Sequence, residues 1–141
     1  MEHVEDTEEF VEAVGSHDGY RRLPDPVIHR RKLQLFKKSR ALMITDHLDC
    51  RGAHNIELFL HFSEKCQVRQ VGPGSFEASN RNKRIGVRLD SRFKPDLYRG
   101  CEKPMSGWIS RTFGVKEPSF TLAARATILG SSQFITEISA I

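Results

Sequence analysis

Apolar residues recur at every second position in a series of short segments that runs from Pro26 to the C-terminus. A period of two is typical of β-strands that turn one face to a core and the other to water. The clearest case is residues 55–62, whose first face carries Ile56, Leu58, Leu60 and Phe62. The second face carries Asn55, Glu57, Phe59 and His61. This segment is predicted to be a half-buried strand.

The first alternating segment follows two prolines, Pro24 and Pro26, and occupies residues 27–36. One of its faces carries Val27, His29, Arg31, Leu33 and Leu35. The other carries Ile28, Arg30, Lys32, Gln34 and Phe36. The pattern predicts a strand with basic residues on both faces.

Alternation resumes after each later turn signal, of which Gly72-Pro73-Gly74 is the strongest. The further predicted strands are residues 40–48, 66–71, 75–79, 84–89, 105–113, 120–128 and 134–138. Proline, glycine and aspartate interrupt residues 90–104, which are predicted to be a loop with a brief strand at Leu97-Tyr98. This spacing of strands and turns predicts an all-β fold, an antiparallel β-sandwich of roughly eight to ten strands with at most one short N-terminal helix.

The N-terminal stretch has a different pattern. Phe10, Val11 and Val14 lie at helical spacing, and Thr7 is placed to cap a first turn that contains acidic residues. Residues 6–14 are therefore predicted to form one short helix. We divide the chain into residues 1–18, a linker or the tail of a preceding region, and residues 19–141, the β-sandwich domain.

The composition is that of a soluble globular domain, with 141 residues, 38% hydrophobic and 28% charged. No apolar run reaches the roughly 20 residues of a membrane-spanning helix. The N-terminus lacks the apolar core of a signal peptide. The chain is therefore either cytosolic or a piece of a longer, periplasmic or secreted protein whose signal lies elsewhere.

The net charge of the chain is +4, and the part after residue 18 is more basic than the whole, because the first 18 residues are acidic and no Lys or Arg precedes Arg21. A basic body suits an anionic partner such as an acidic polysaccharide, and it equally suits a solvated surface without a ligand. No aromatic nucleic-acid-binding motif is present, so a nucleic-acid partner is not expected.

The three cysteines, Cys50, Cys66 and Cys101, are too sparse for a disulfide framework or a thiolate zinc site, and we expect reduced thiols. His47 and His54 are separated by a turn and would meet across a hairpin near Asp46 or Asp49, which would suit a zinc ion. Ordinary hydrogen-bonded histidines are the favoured alternative. No cofactor or metal is expected in this chain.

Known catalytic motifs, including nucleophile elbows and phosphate-binding loops, are absent from the sequence. The remaining candidate is a basic and aromatic stretch whose guanidinium groups suit sulfate and carboxylate and whose ring suits a sugar. The predicted glycan contacts are Tyr20, Arg22, His29, Arg30 and Arg31. The alternative is that these arginines form the solvated face of an edge strand.

The order and spacing of several motifs resemble the late β-region of heparinase II/III-like polysaccharide lyases, over residues 17–141. The first motif runs from Gly19-Tyr20-x-Arg22-Leu23 to Pro26-Val27-x-His29-Arg30-Arg31. The next two are Met43-Ile44-Thr45-Asp46-x-Leu48 and Gly52-Ala53-His54-x-x-Glu57-Leu58-x-x-His61-Phe62. The closing motifs are Gly107-Trp108-Ile109-Ser110-x-x-Phe113-Gly114-x-Lys116-x-Pro118 and Phe134-Ile135-Thr136.

The resemblance implies a C-terminal β-domain of a lyase that cleaves uronate-containing acidic glycans by β-elimination. In that family an α/α-toroid and an earlier β-region precede this domain and carry the catalytic and metal-binding residues. None of those motifs is matched here, so no catalytic, cofactor-binding or metal residue is assigned. The resemblance therefore implies a non-catalytic domain that supports the active cleft. The alternatives are an anionic-glycan-binding accessory module and a purely structural domain.

Overall fold

The computed structural model describes residues 2–141, and in this range regular secondary structure consists of strands alone. The strands are β1 His3–Asp6, β2 Phe10–Tyr20, β3 Val27–Phe36, β4 Ala41–Asp49, β5 Ala53–His61, β6 Gln67–Gly72, β7 Ser75–Asn80, β8 Lys83–Arg88, β9 Lys94–Arg99, β10 Cys101–Glu102, β11 Met105–Ser106, β12 Trp108–Ile109, β13 Glu117–Pro118, β14 Phe120–Leu129 and β15 Ser132–Ala140. Among these residues no helix has the length and apolar character that a membrane crossing requires.

Two antiparallel sheets form the domain. The larger has eight strands in the order β1-β2-β3-β4-β15-β8-β7-β6, and the smaller has three in the order β5-β14-β9. Two short ribbons, β10 with β11 and β12 with β13, extend from the connection between β9 and β14. The chain crosses from one sheet to the other between β4 and β5. The predicted all-β, sandwich-like architecture is confirmed.

The hydrophobic core lies where the two sheets face each other. The larger sheet contributes Val27, Leu48, Phe76, Val87 and Phe134. The smaller sheet contributes Leu122, Ala124 and Ile128 from β14, with Ile56, Leu58 and Leu60 of β5 packed against them. Residues 55–62 therefore place their apolar positions as the alternation predicts, with every second side chain toward the core.

The short helix predicted at residues 6–14 is wrong, because this stretch contains the end of β1, a tight turn and the start of β2. The register pairs Val4 with Ala13, and β2 continues along β3 with Phe10 opposite Phe36. Thr7 caps the turn rather than a helix, since its Oγ1 accepts hydrogen bonds from the N–H groups of Glu9 and Phe10. A helix this short is only marginally stable by itself. Pairing of β2 with β1 and β3 supplies backbone hydrogen bonds on both sides, so tertiary context overrides the weak helical pattern. β2 also runs past residue 18, to Tyr20.

The predicted loop at residues 90–104 contains a longer strand than the sequence indicated. β9 spans Lys94–Arg99 and pairs with β14, with Pro95 opposite Ala124. A proline and an aspartate suppress the strand signal in the sequence. An edge strand tolerates proline because one row of its N–H groups has no partner strand.

Candidate functional site at the rim of the inter-sheet cavity

A cavity of about 410 Å³ opens between the larger sheet and β5. Its apolar floor includes Phe93 and Phe134, whose ring centroids are 4.5 Å apart. Its polar lining consists mainly of Tyr20, His29, Arg31, Asp46 and His54. A concave site with an apolar floor and a few converging polar groups is the usual form of a small-ligand pocket.

Strand register brings the polar residues together. Side chains alternate along β3, so His29 and Arg31 share the face that carries the buried Val27. On β4 the partner of Arg31 is Asp46, and on β2 the partner of His29 is His17. Residues from three adjacent strands thereby meet at one edge of the core.

Asp46 is the centre of this cluster. Its Oδ1 accepts hydrogen bonds from His29 Nε2 at 2.5 Å and Arg31 Nε at 2.6 Å, and its Oδ2 accepts one from Arg31 Nη2 at 2.9 Å. Burial opposes ionisation of the carboxyl, but the hydrogen bonds from His29 and Arg31 and the Arg31 charge outweigh it and lower the pKa of Asp46. Asp46 is therefore held as a carboxylate, a weak base fully engaged with its neighbours.

The hydrogen bonds of His17 and His29 form a chain with one direction. The Gly19 N–H donates to His17 Nδ1 at 3.3 Å, so the proton of neutral His17 lies on Nε2. That N–H faces His29 Nδ1 at 3.1 Å, which leaves the His29 proton on Nε2, the nitrogen next to Asp46. A register shift in the β2–β3 pair follows directly after His17, between His17 and Tyr20. Each of the four imidazole nitrogens has a partner.

Tyr20 ends β2 and is 46% exposed, with its ring centroid 5.2 Å from that of His17. Like Phe59, which is 44% exposed, it is an exposed aromatic residue of the cavity, and it lies with His29, Arg31 and Asp46 in the cavity lining. The exposed residue Arg22 follows in the loop that leads to β3. An open ring beside cations is an arrangement that can stack on a sugar and pair with its anionic substituents.

The five predicted contacts do not share one surface. Tyr20, His29 and Arg31 line the cavity. Arg30 points to the other face of β3, where its Nε donates to Glu2 Oε2 at 2.9 Å. Arg22 lies in the exposed loop after β2. Alternation along a strand separates Arg30 from Arg31, although the two are neighbours in sequence.

A second polar cluster was missed by sequence reasoning. Asp25 Oδ2 accepts hydrogen bonds from the Gly52 N–H at 2.7 Å, the Arg51 N–H at 3.2 Å and His54 Nε2 at 2.7 Å. The hydrogen bond from Gly52, followed by that from His54, lowers the pKa of Asp25. His54 thus pairs with Asp25, and the exposed His47 lies on the face of β4 opposite to Asp46. The only local sign of this cluster in the sequence is the position of Asp25 between Pro24 and Pro26.

Comparisons with known proteins agree on the fold. The family described as Heparinase II/III-like, C-terminal, matches residues 1–138. The heparan sulfate lyase HepC from Pedobacter heparinus has a TM-score of 0.75 at 10% identity, over 98% of this chain and 21% of that chain. A structure of heparinase III has a TM-score of 0.74 at 14% identity, over 99% of this chain and 21% of that one. A comparison with curated proteins gives no match.

The same fold occurs in an enzyme of another class. The 4-alpha-glucanotransferase from Thermococcus litoralis has a TM-score of 0.59 at 11% identity, over 99% of this chain and 22% of that chain. The chain thus spans about a fifth of the length of these solved proteins. Such a likeness establishes the fold, and a fold by itself does not determine a reaction.

Proposed function

The chain belongs to the heparinase II/III-like C-terminal family, and from this premise we propose that it is the non-catalytic β-domain of a longer polysaccharide lyase. That lyase would cleave uronate-containing acidic glycans by β-elimination. The domain would support the active cleft, in contact with an upstream α/α-toroid and β-region, and touch the acidic glycan at the cavity rim.

The state of the polar groups supports a non-catalytic role. β-Elimination needs a base that removes the proton next to the uronate carboxylate. Asp46 is paired with Arg31 and His29, and its lowered pKa makes it a poor proton acceptor. Both nitrogens of His29 are engaged, with His17 and with Asp46. These residues hydrogen-bond to one another, so none of them is placed to act as a general base on a substrate.

The exposed ring of Tyr20 is the observation that carries glycan contact. It lies at the mouth of a cavity that also contains Arg31, whose side chain is 40% exposed. Arg22 adds a further exposed guanidinium in the adjoining loop. We assign sugar stacking to Tyr20 and recognition of sulfate or carboxylate to Arg22 and Arg31, with His29 holding the rim. Arg30 would act only on glycan that crosses the opposite face.

A lyase assay tests the non-catalytic role. The purified chain is incubated with heparin, heparan sulfate and alginate, and the ultraviolet absorbance of unsaturated uronate is followed. We expect no turnover above a heat-denatured control, because Asp46 and His29 at the cavity are already paired with each other. Sustained turnover that copurifies with the chain and is lost in Asp46→Asn would overturn the proposal.

Glycan binding is tested separately with two double variants. Tyr20→Ala with Arg22→Ala should weaken binding of a heparan sulfate oligosaccharide by about tenfold, or about 1.4 kcal/mol. The control, Tyr98→Ala with Lys83→Ala, also removes one tyrosine and one cation, but away from the cavity. Calorimetry should show little change for the control. Equal losses of affinity in both variants would mean that binding depends only on net charge. Titrations of the unmodified chain that show no binding would favour a purely structural domain.

A further inference from the structure

Three metal-ligating side chains of different chemistry meet under the loop that connects β2 to β3. Asp25 belongs to that loop, Cys50 to the connection between β4 and β5, and His54 to β5. One ligand atom of each, a carboxylate oxygen, the thiol sulfur and an imidazole nitrogen, all lie within 4.8 Å of one another. Residues separated by up to 29 positions thus converge at the point where the chain changes sheets.

We propose that Asp25, Cys50 and His54 form a zinc site, with a water molecule as the fourth ligand. Zinc accepts sulfur, nitrogen and oxygen ligands in tetrahedral geometry at about 2.0–2.3 Å. A tetrahedron of that size places its ligand atoms about 3.3–3.7 Å apart. The trio therefore needs shifts of about 1 Å or less. Calcium and magnesium are poor candidates, because they prefer shells made of oxygen alone and a thiolate is a soft ligand.

The surroundings of Cys50 favour a cation. The residue is buried, with 8% of its surface exposed, and the carboxylates of Asp25 and Asp49 lie close to it. A divalent ion at this point would be neutralised by one thiolate and one carboxylate. Binding releases the thiol proton to solvent, and neutral His54 coordinates through Nε2 with its proton moved to Nδ1.

Hydrogen bonds from neighbouring groups already hold two of the three ligands, Asp25 and Cys50. Asp25 Oδ2 accepts two backbone N–H groups of the β4–β5 connection, from Arg51 and Gly52. The Ser131 hydroxyl accepts a hydrogen bond from the Cys50 N–H at 3.1 Å and contacts the Cys50 carbonyl at 3.0 Å. Such outer contacts orient ligands and raise metal affinity. Zinc would join the loop after Tyr20 to the start of β5, and this inference does not depend on glycan binding.

Cobalt titration provides the test, because thiolate coordination produces a charge-transfer band that carboxylate or imidazole alone does not. The chain is freed of metal with a chelator and titrated with Co²⁺, and Zn²⁺ then displaces the cobalt. We expect one ion per chain, loss of the band in Cys50→Ser, and affinity lowered by about tenfold or more in Asp25→Asn and His54→Gln. Cys66→Ser and His47→Gln are the matched controls and should bind normally.

Folding is monitored by circular dichroism, so that a ligand variant that unfolds is not taken for a binding defect. If Cys50→Ser unfolds, His54→Gln carries the test, together with zinc-dependent thermal stabilisation of the unmodified chain. The proposal is overturned if the folded chain binds no stoichiometric ion, or if the band persists in Cys50→Ser and disappears in Cys66→Ser. In either case the trio is a hydrogen-bonded cluster and nothing more.

Discussion

His17 and His29 face each other across strands β2 and β3, with His17 Nε2 3.1 Å from His29 Nδ1 and the two rings at 89°. The contact links the backbone of Gly19 to the carboxylate of Asp46 through two imidazoles. A chain that begins with a backbone donor and ends at a carboxylate has only one arrangement of protons when both rings are neutral. The rim of the cavity is therefore ordered by hydrogen-bond direction as well as by packing.

The first prediction concerns these tautomers. Both His17 and His29 should be protonated on Nε2 in the neutral protein, since each Nδ1 accepts a hydrogen bond. Two-dimensional NMR that correlates ring nitrogens with ring protons distinguishes the two forms. The exposed His47 is the internal reference. A proton on Nδ1 of His17 would contradict the Gly19 contact.

The second prediction concerns stability. Asp46→Ala removes the shared acceptor of His29 and Arg31, and we expect a loss of about 2 kcal/mol in the free energy of unfolding. This estimate lies below that for a fully buried pair, because Arg31 is 40% exposed. Urea denaturation gives the value. Asp18→Ala is the control, since Asp18 is 68% exposed and lies 3.5 Å from Arg21, and it should leave stability almost unchanged. Equal effects would argue against a buried Asp46 cluster.

The third prediction follows from the lowered pKa of Asp46. A carboxyl whose folded-state pKa is depressed contributes stability that is present above its unfolded value, near 3.8, and is lost as pH falls through the folded value. Asp46→Asn should therefore flatten the acid side of the stability profile below about pH 4. Denaturation at a series of pH values measures the slope. Part of the pH dependence of stability should remain in the variant, because Arg111 lowers the pKa of Glu64 to about 2. An unchanged slope would show that His29 and Arg31 do not lower the pKa of Asp46 in the folded protein.

The fourth prediction concerns the N-terminal strands. Val14 is 7% exposed within β2, whereas Val4 of β1 is 56% exposed. Val14→Ala should cost about 1–2 kcal/mol, because it removes buried methyl groups, and Val4→Ala should cost far less. Thermal or urea unfolding compares the two. Similar small losses would mean that this stretch is a loosely attached tail.

Periodicity was sufficient for most strands. The alternation of residues 55–62 correctly predicted which side chains face the core, because the pleat of a strand has a period of two whatever its partner is. Gly74, at the predicted turn after β6, has a φ of 62°, which glycine adopts without strain. Where the local signal was weak, at residues 6–14 and in β9, pairing with β3 and β14 decided the conformation.

The candidate sites were harder to predict for a different reason. The resemblance in motif order correctly indicated the family, and the alternation places His29 and Arg31 on one face. Only the tertiary structure paired Arg31 with Asp46 and brought Asp25 to Cys50 and His54. A local pattern specifies which way a side chain points, but partners distant in sequence depend on sheet order and register, and these are set by packing of the whole domain.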